Sequence, residues 1–138
     1  MNLQAEQLKN SLKKKLLPIY FISGDEPLQL GEAADAVRLA ARKAGFENRE
    51  ILLVDANFSW NRLSAAAESL SIFSEKKIID LRIPSGKPGN EGANALTEYC
   101  QRLPEDTLLL ITAGKVASSA MKSRWYRALD KAGATTRV

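Results

Sequence analysis

Short apolar runs and stretches of helical spacing alternate along this chain. Leu3, Leu8, Leu12 and Leu16 mark one stripe of an opening helix. Leu17-Pro18-Ile19-Tyr20-Phe21-Ile22 follows as a short buried strand with proline at its entry. Gly24-Asp25-Glu26-Pro27 reads as a turn into a helix. Asp25 is placed to cap it, Pro27 fits a first turn where its missing N–H is not needed, and Gly45 is the expected stop. Ile51-Leu52-Leu53-Val54 is a second strand, and Ser59 can cap a helix with Trp60, Leu63, Ala67 and Leu70 along one face. A third strand covers Ile78-Ile79-Asp80-Leu81-Arg82-Ile83. Residues 84–92 are a loop by composition, and a helix follows to about Arg102. The run TLLLIT, 107–112, is the fourth strand. Ser118 or Ser119 is expected to cap a last helix carrying Met121, Trp125 and Leu129, and Thr135 to Val138 starts a fifth strand.

Strand and helix therefore alternate. Continuous apolar strands mean that both faces of a parallel sheet are covered by helices. The expected fold is a three-layer α/β domain of about five parallel strands. The pattern stops at its last strand, which reads as a single domain, 1–138, cut from a longer protein.

Composition narrows the chemistry. A length of 138 residues, 45% apolar and 26% charged, suits one globular domain with a real core. The net charge of +4 permits contact with nucleic acid or an acidic partner without demanding it. The only basic run, Lys13-Lys14-Lys15, is explained as a solvated helix end. With no histidine and only Cys100, the chain can form neither an internal disulfide, nor a Cys–His catalytic pair, nor a zinc site of its own. No apolar stretch approaches a membrane span and the N-terminus lacks the apolar core of a signal peptide, so the cytoplasm is the simplest compartment.

In such a sheet, phosphates favour the first strand–helix turn. A phosphate-binding loop needs Gly-x-x-x-x-Gly-Lys-Ser/Thr: glycines for close backbone approach, lysine for charge and a hydroxyl for magnesium. Counted from Gly24, those positions hold Gln29, Leu30 and Gly31. Asp25 and Glu26 also occupy the helix end that a phosphate would seek. The expectation is an NTPase-type sheet without a functional Walker A motif, without bound cofactor or metal, and without catalysis. Asp80, a carboxylate inside an apolar strand, needs a partner, with Lys76, Lys77 and Arg82 the near candidates.

Taken together, the opening leucine helix, LLPIYFISG, the lysine-free turn GDEPL, the helix ending LSIF, and LLLITAGKVASS followed by Trp125-Tyr126 resemble the N-terminal, AAA+-like domain of the δ subunit of the bacterial DNA polymerase III clamp loader. The resemblance spans essentially the whole chain. It implies that the family's C-terminal lid and collar domains are absent here and that this domain binds no ATP. It also implies membership of a DNA-directed DNA polymerase (nucleotidyltransferase) holoenzyme. The implied partners are the ring-shaped sliding clamp (β subunit), the sibling loader subunits and, within the complete loader, DNA.

The resemblance gives meaning to an odd stretch, LSIFSEKK, where two large apolar side chains adjoin at a turn. In the family a Leu-Phe pair here inserts into a pocket on the clamp. The matching positions are Ile72 and Phe73, with Leu70, Ser71, Ser74, Glu75, Lys76 and Trp60 as weaker contacts. Isoleucine in place of leucine is branched at Cβ and stiffer. On residue pattern alone, the first reading of this pair is that it seals a helix–strand corner from within, and the resemblance reverses that preference. Trp125 and Tyr126 read as core and helix surface rather than a platform for bases. A rival reading is a phosphoacceptor receiver domain, with Asp25, Glu26 and Asp55 binding magnesium beside Lys115. A generic α/β protein-interaction domain is another.

Overall fold

Apolar side chains on alternate positions of the central strands dictate the layering. The computed structural model describes residues 1–68 and 75–138. Its elements are α1 (Ala5–Lys14), β1 (Ile19–Ser23), α2 (Pro27–Lys43), β2 (Phe46–Leu53), α3 (Asn61–Glu68), β3 (Lys76–Ile83), α4 (Gly89–Gln101), β4 (Thr107–Ala113), α5 (Arg124–Ala132) and β5 (Ala134–Arg137), with a 3-10 turn at Ala120–Lys122 before α5. The five strands form one sheet in the order β2-β3-β4-β1-β5, and all pairs are parallel.

One face of the sheet, carrying Ile19, Phe21, Ile79, Leu81, Leu109 and Ile111, packs with Leu63, Leu96 and Leu129 of α3, α4 and α5. The other, carrying Tyr20, Ile22, Ile78, Leu108 and Leu110, packs with Leu8 of α1 and Ala34, Val37 and Ala41 of α2. This is the expected three-layer arrangement. Phe21 meets the rings of Trp125 and Tyr126 edge-on at 5.7 and 5.6 Å, which fixes α5 on the sheet. Both aromatics of α5 are core residues, Tyr126 included.

Four local expectations change. β2 starts at Phe46, directly after the turn at Gly45, where φ is +99°. Its first half, Glu47-Asn48-Arg49-Glu50, carries no apolar signal because an edge strand faces water. The first residue of α4 is Gly89, within the stretch read as loop. The last helix is broken: Ser119 precedes only the 3-10 turn, and Ser123 occupies the N-cap position of α5 without a side-chain cap bond. The Ser123 hydroxyl donates instead to the carbonyl of Ala120. Likewise Glu26, not Asp25, holds the N-cap position of α2, again without a side-chain cap bond, and Pro27 opens the helix as expected.

Candidate partner-binding surface

The sheet has two ends with different contents. At the C-terminal ends of the strands lies the β1–α2 turn. Gly24 donates its N–H to the carbonyl of Ala113 at 3.1 Å. A Cβ at Gly24 would lie 2.6 Å from both the side chain and the carbonyl oxygen of Val138. The glycine here admits the end of β5, a packing reason for a residue that in other sheets serves phosphate. Asp25 and Glu26 are exposed. Asp55 follows β2 and Lys115 follows β4. Two strands separate β1 from β2 in the sheet, so Asp25 and Asp55 stand three strand spacings apart, roughly 14 Å. That is too far to share one magnesium, and the strand order overturns the receiver reading. Among the described residues no group of His, Cys, Asp and Glu is arranged to hold a metal, and no helix is long and apolar enough to cross a membrane.

At the N-terminal ends of the strands lies the α3–β3 connection. Leu63 and Ala66 are buried and seat α3 on the sheet. The Lys77 ammonium donates to the carbonyl of Ala66, tying the start of β3 to that helix. Leu70, Ser71, Ile72, Phe73 and Ser74 lie outside the described residues. Glu75 is exposed and accepts a hydrogen bond from the Asn48 amide on β2. Lys76 is exposed, reaches the carbonyl of Ala44 at 3.3 Å and sits 5.4 Å from the centre of the Phe46 ring. Both follow the expected anchor closely in sequence. Trp60 does not fit that role. It is 9% exposed, meets Phe58 edge-on at 5.2 Å, and its indole lies where a Cβ on Gly92 would be, 2.5 Å away. Trp60, just before α3, is a core residue packed with Leu63 and against Gly92 of α4.

Asp80 is fully buried. Arg38 Nε donates to it at 3.1 Å and Arg82 Nε at 3.2 Å, with Arg49 at 4.0 Å. Of the near candidates only Arg82 pairs with it. Lys76 and Lys77 turn to backbone carbonyls instead. Arg38 from α2 and Arg49 from β2 had no local signal, since the sheet register that pairs Ile51 with Asp80 is what brings Arg49 close. Asp80 is the centre of a buried ion-pair network. Burial raises the phenol pKa of Tyr99, whose hydroxyl lacks a hydrogen-bond partner among the described residues, and pushes the Cys100 thiol up to about 11, so that thiol is a poor nucleophile.

An all-parallel five-stranded sheet with helices on both faces makes this a three-layer α/β domain. The family model for DNA polymerase III, delta subunit, matches residues 20–137, and the chain belongs to that family. It is 30% identical to the DNA polymerase III subunit delta of Escherichia coli over 94% of this chain and 38% of the relative. It is 29% identical to that of Haemophilus influenzae over 91% of this chain and 36% of the relative. The chain thus spans well under half the length of these relatives. Among solved structures, the DNA clamp loader delta protein of Bacillus subtilis shares the fold with a TM-score of 0.73 at 19% identity, over 97% of this chain and 42% of that one. A gamma subunit-related protein of DNA polymerase III from Thermotoga maritima superposes with a TM-score of 0.60 at 14% identity, over 99% and 46%.

Proposed function

We propose that this chain is the clamp-binding module of a clamp-loader δ subunit, acting in DNA replication in the cytoplasm. The observation that carries the reading is the family match over residues 20–137. Ile72 and Phe73 are the anchor, with Leu70, Ser71, Ser74, Glu75 and Lys76 beside it. The exposed positions of Glu75 and Lys76, directly after the anchor, support that placement. Burying both anchor side chains in a clamp pocket contributes roughly 3–6 kcal/mol before ordering costs. Nanomolar affinity needs about 12 kcal/mol net, so surrounding contacts must add to it.

The action is mechanical. A subunit opens a closed ring only by binding the open form more tightly than the closed one, and by no more than that difference. The chain itself catalyses nothing and binds no ATP: Gly24 is occupied with β5, and the positions for the phosphate-binding lysine and hydroxyl hold Leu30 and Gly31. Fuel and control then come from sibling subunits within the polymerase holoenzyme, and DNA meets the domain only in the complete loader.

The test is affinity for the sliding clamp of the same organism by calorimetry, paired with a thermal melt. Phe73→Ala and Ile72→Ala each lower affinity more than tenfold, the loss expected of a buried hot-spot side chain, and leave the melt nearly unchanged. Normal clamp binding by both variants would rule out the anchor. Loss of the folded state would instead assign the pair to the core.

A further inference from the structure

The lysine run near the N-terminus has a neighbour that its sequence does not reveal. α1 and α2 end at the same edge of the domain, the N-terminal end of the strands, and leave a groove of about 660 Å³ between them. Its floor is aliphatic: Leu12 and Leu16 are half-buried, and Leu39 is 51% exposed. Around that floor stand Lys9, the Lys13–Lys15 run and Lys43. Among the described residues no carboxylate lines the groove. All five ammonium groups are exposed, and none has an ion-pair partner among the described residues. Lys13, Lys14 and Lys43 lie in last helical turns, which suits the helix dipoles. The dipoles account neither for Lys9 nor for an exposed leucine among the lining residues.

Ala44 also lines this groove, and its carbonyl accepts from Lys76 at 3.3 Å. Lys76 opens β3, two residues beyond Ser74. The lysine line therefore continues to the start of β3, which follows the expected anchor in sequence. The groove takes aliphatic side chains, its rim takes carboxylates, and among the described residues its lining holds no aromatic ring to stack on a base. Its concave shape admits a protruding segment better than a flat lipid surface.

We infer that the groove is a second docking site for the clamp and receives an acidic, aliphatic segment of that partner's surface. This rests on the clamp-binding reading above. The anchor then supplies the fixed contact. The lysine rim supplies steering and orientation, which salt weakens.

The test measures clamp affinity of this chain at about 50 and about 300 mM NaCl, where screening differs strongly. The variants are Lys13→Glu/Lys43→Glu, Lys13→Arg/Lys43→Arg and Leu39→Asp, with circular dichroism melts as folding controls. Charge reversal is expected to lower affinity about tenfold at low salt and to flatten the salt dependence. Leu39→Asp lowers it at both salts, and the arginine pair binds as the parent chain does. Parent-like binding by the reversal variant at both salts, with Phe73→Ala still defective, overturns the groove and leaves the anchor standing. If the parent chain ignores the clamp altogether, the clamp-binding reading falls first and the groove with it. Two further probes are a short DNA duplex and phosphatidylserine vesicles. Binding to either that charge reversal abolishes, while clamp affinity holds, reassigns the groove and overturns the inference.

Discussion

Two basic clusters in this domain are built on opposite plans. Around Asp80, guanidinium groups from α2, β2 and β3 converge on one buried carboxylate. In the groove between α1 and α2, ammonium groups from both helices surround exposed aliphatic carbon with no carboxylate among the lining residues. The first cluster satisfies its charge internally. Arginine suits it because a planar fork holds several hydrogen bonds to one anion. The second leaves its charge facing water, on flexible stems that cost the fold almost nothing. A charged group with a partner inside the domain is part of the structure. One kept without a partner, beside uncovered carbon, is available to something outside.

The sharpest way to break this contrast is to remove Asp80. Asp80→Ala leaves Arg38, 16% exposed at its side chain, with only Asp35 and empties the centre of the network. A loss on the order of 3 kcal/mol is expected in urea denaturation. An unchanged unfolding midpoint would mean that the network is ornamental and that the two clusters do not differ. The groove is expected to answer oppositely: Lys13→Glu/Lys43→Glu should shift stability by no more than about 0.5 kcal/mol, as for surface changes away from packing features. A larger loss would show that those lysines serve the fold.

The smallest effect concerns pH. Burial raises the pKa of Tyr20 and Tyr99 and pushes that of Cys100 to about 11, each above its unfolded value. Groups shifted upward contribute stability that is complete below the unfolded pKa and is lost as pH rises toward the folded one. The melting temperature should therefore fall as pH climbs from about 8.5, the unfolded thiol value, toward that of Cys100. Cys100→Ser should soften the start of that decline, and a decline of unaltered onset would remove the thiol from the account.

How much was legible in the sequence differs between fold and surface. Apolar runs alternating with helical stripes sufficed for the three-layer parallel sheet, since a strand covered on both faces must be apolar along its length. The departure of the turn after Gly24 from the Gly-x-x-x-x-Gly-Lys-Ser/Thr spacing was equally plain, because that motif needs fixed residues at fixed positions. The start of β2 escaped because water-facing edge residues carry no apolar signature. Ile72 and Phe73 stood out through family resemblance rather than through pattern, because an apolar pair at a turn serves a core as readily as a partner.

The sequence by itself determined the class of fold and the apolar strands at its centre, both of which depend on local composition and period. Tertiary structure alone decided that Asp80 meets Arg38 and Arg49, that Trp60 turns inward, and that Asp25 and Asp55 stand far apart. It also brought Lys43 to the lysine run of α1. The physical reason is that charge and burial depend on which strands and helices become neighbours. Strand order makes that choice over distances no local pattern spans.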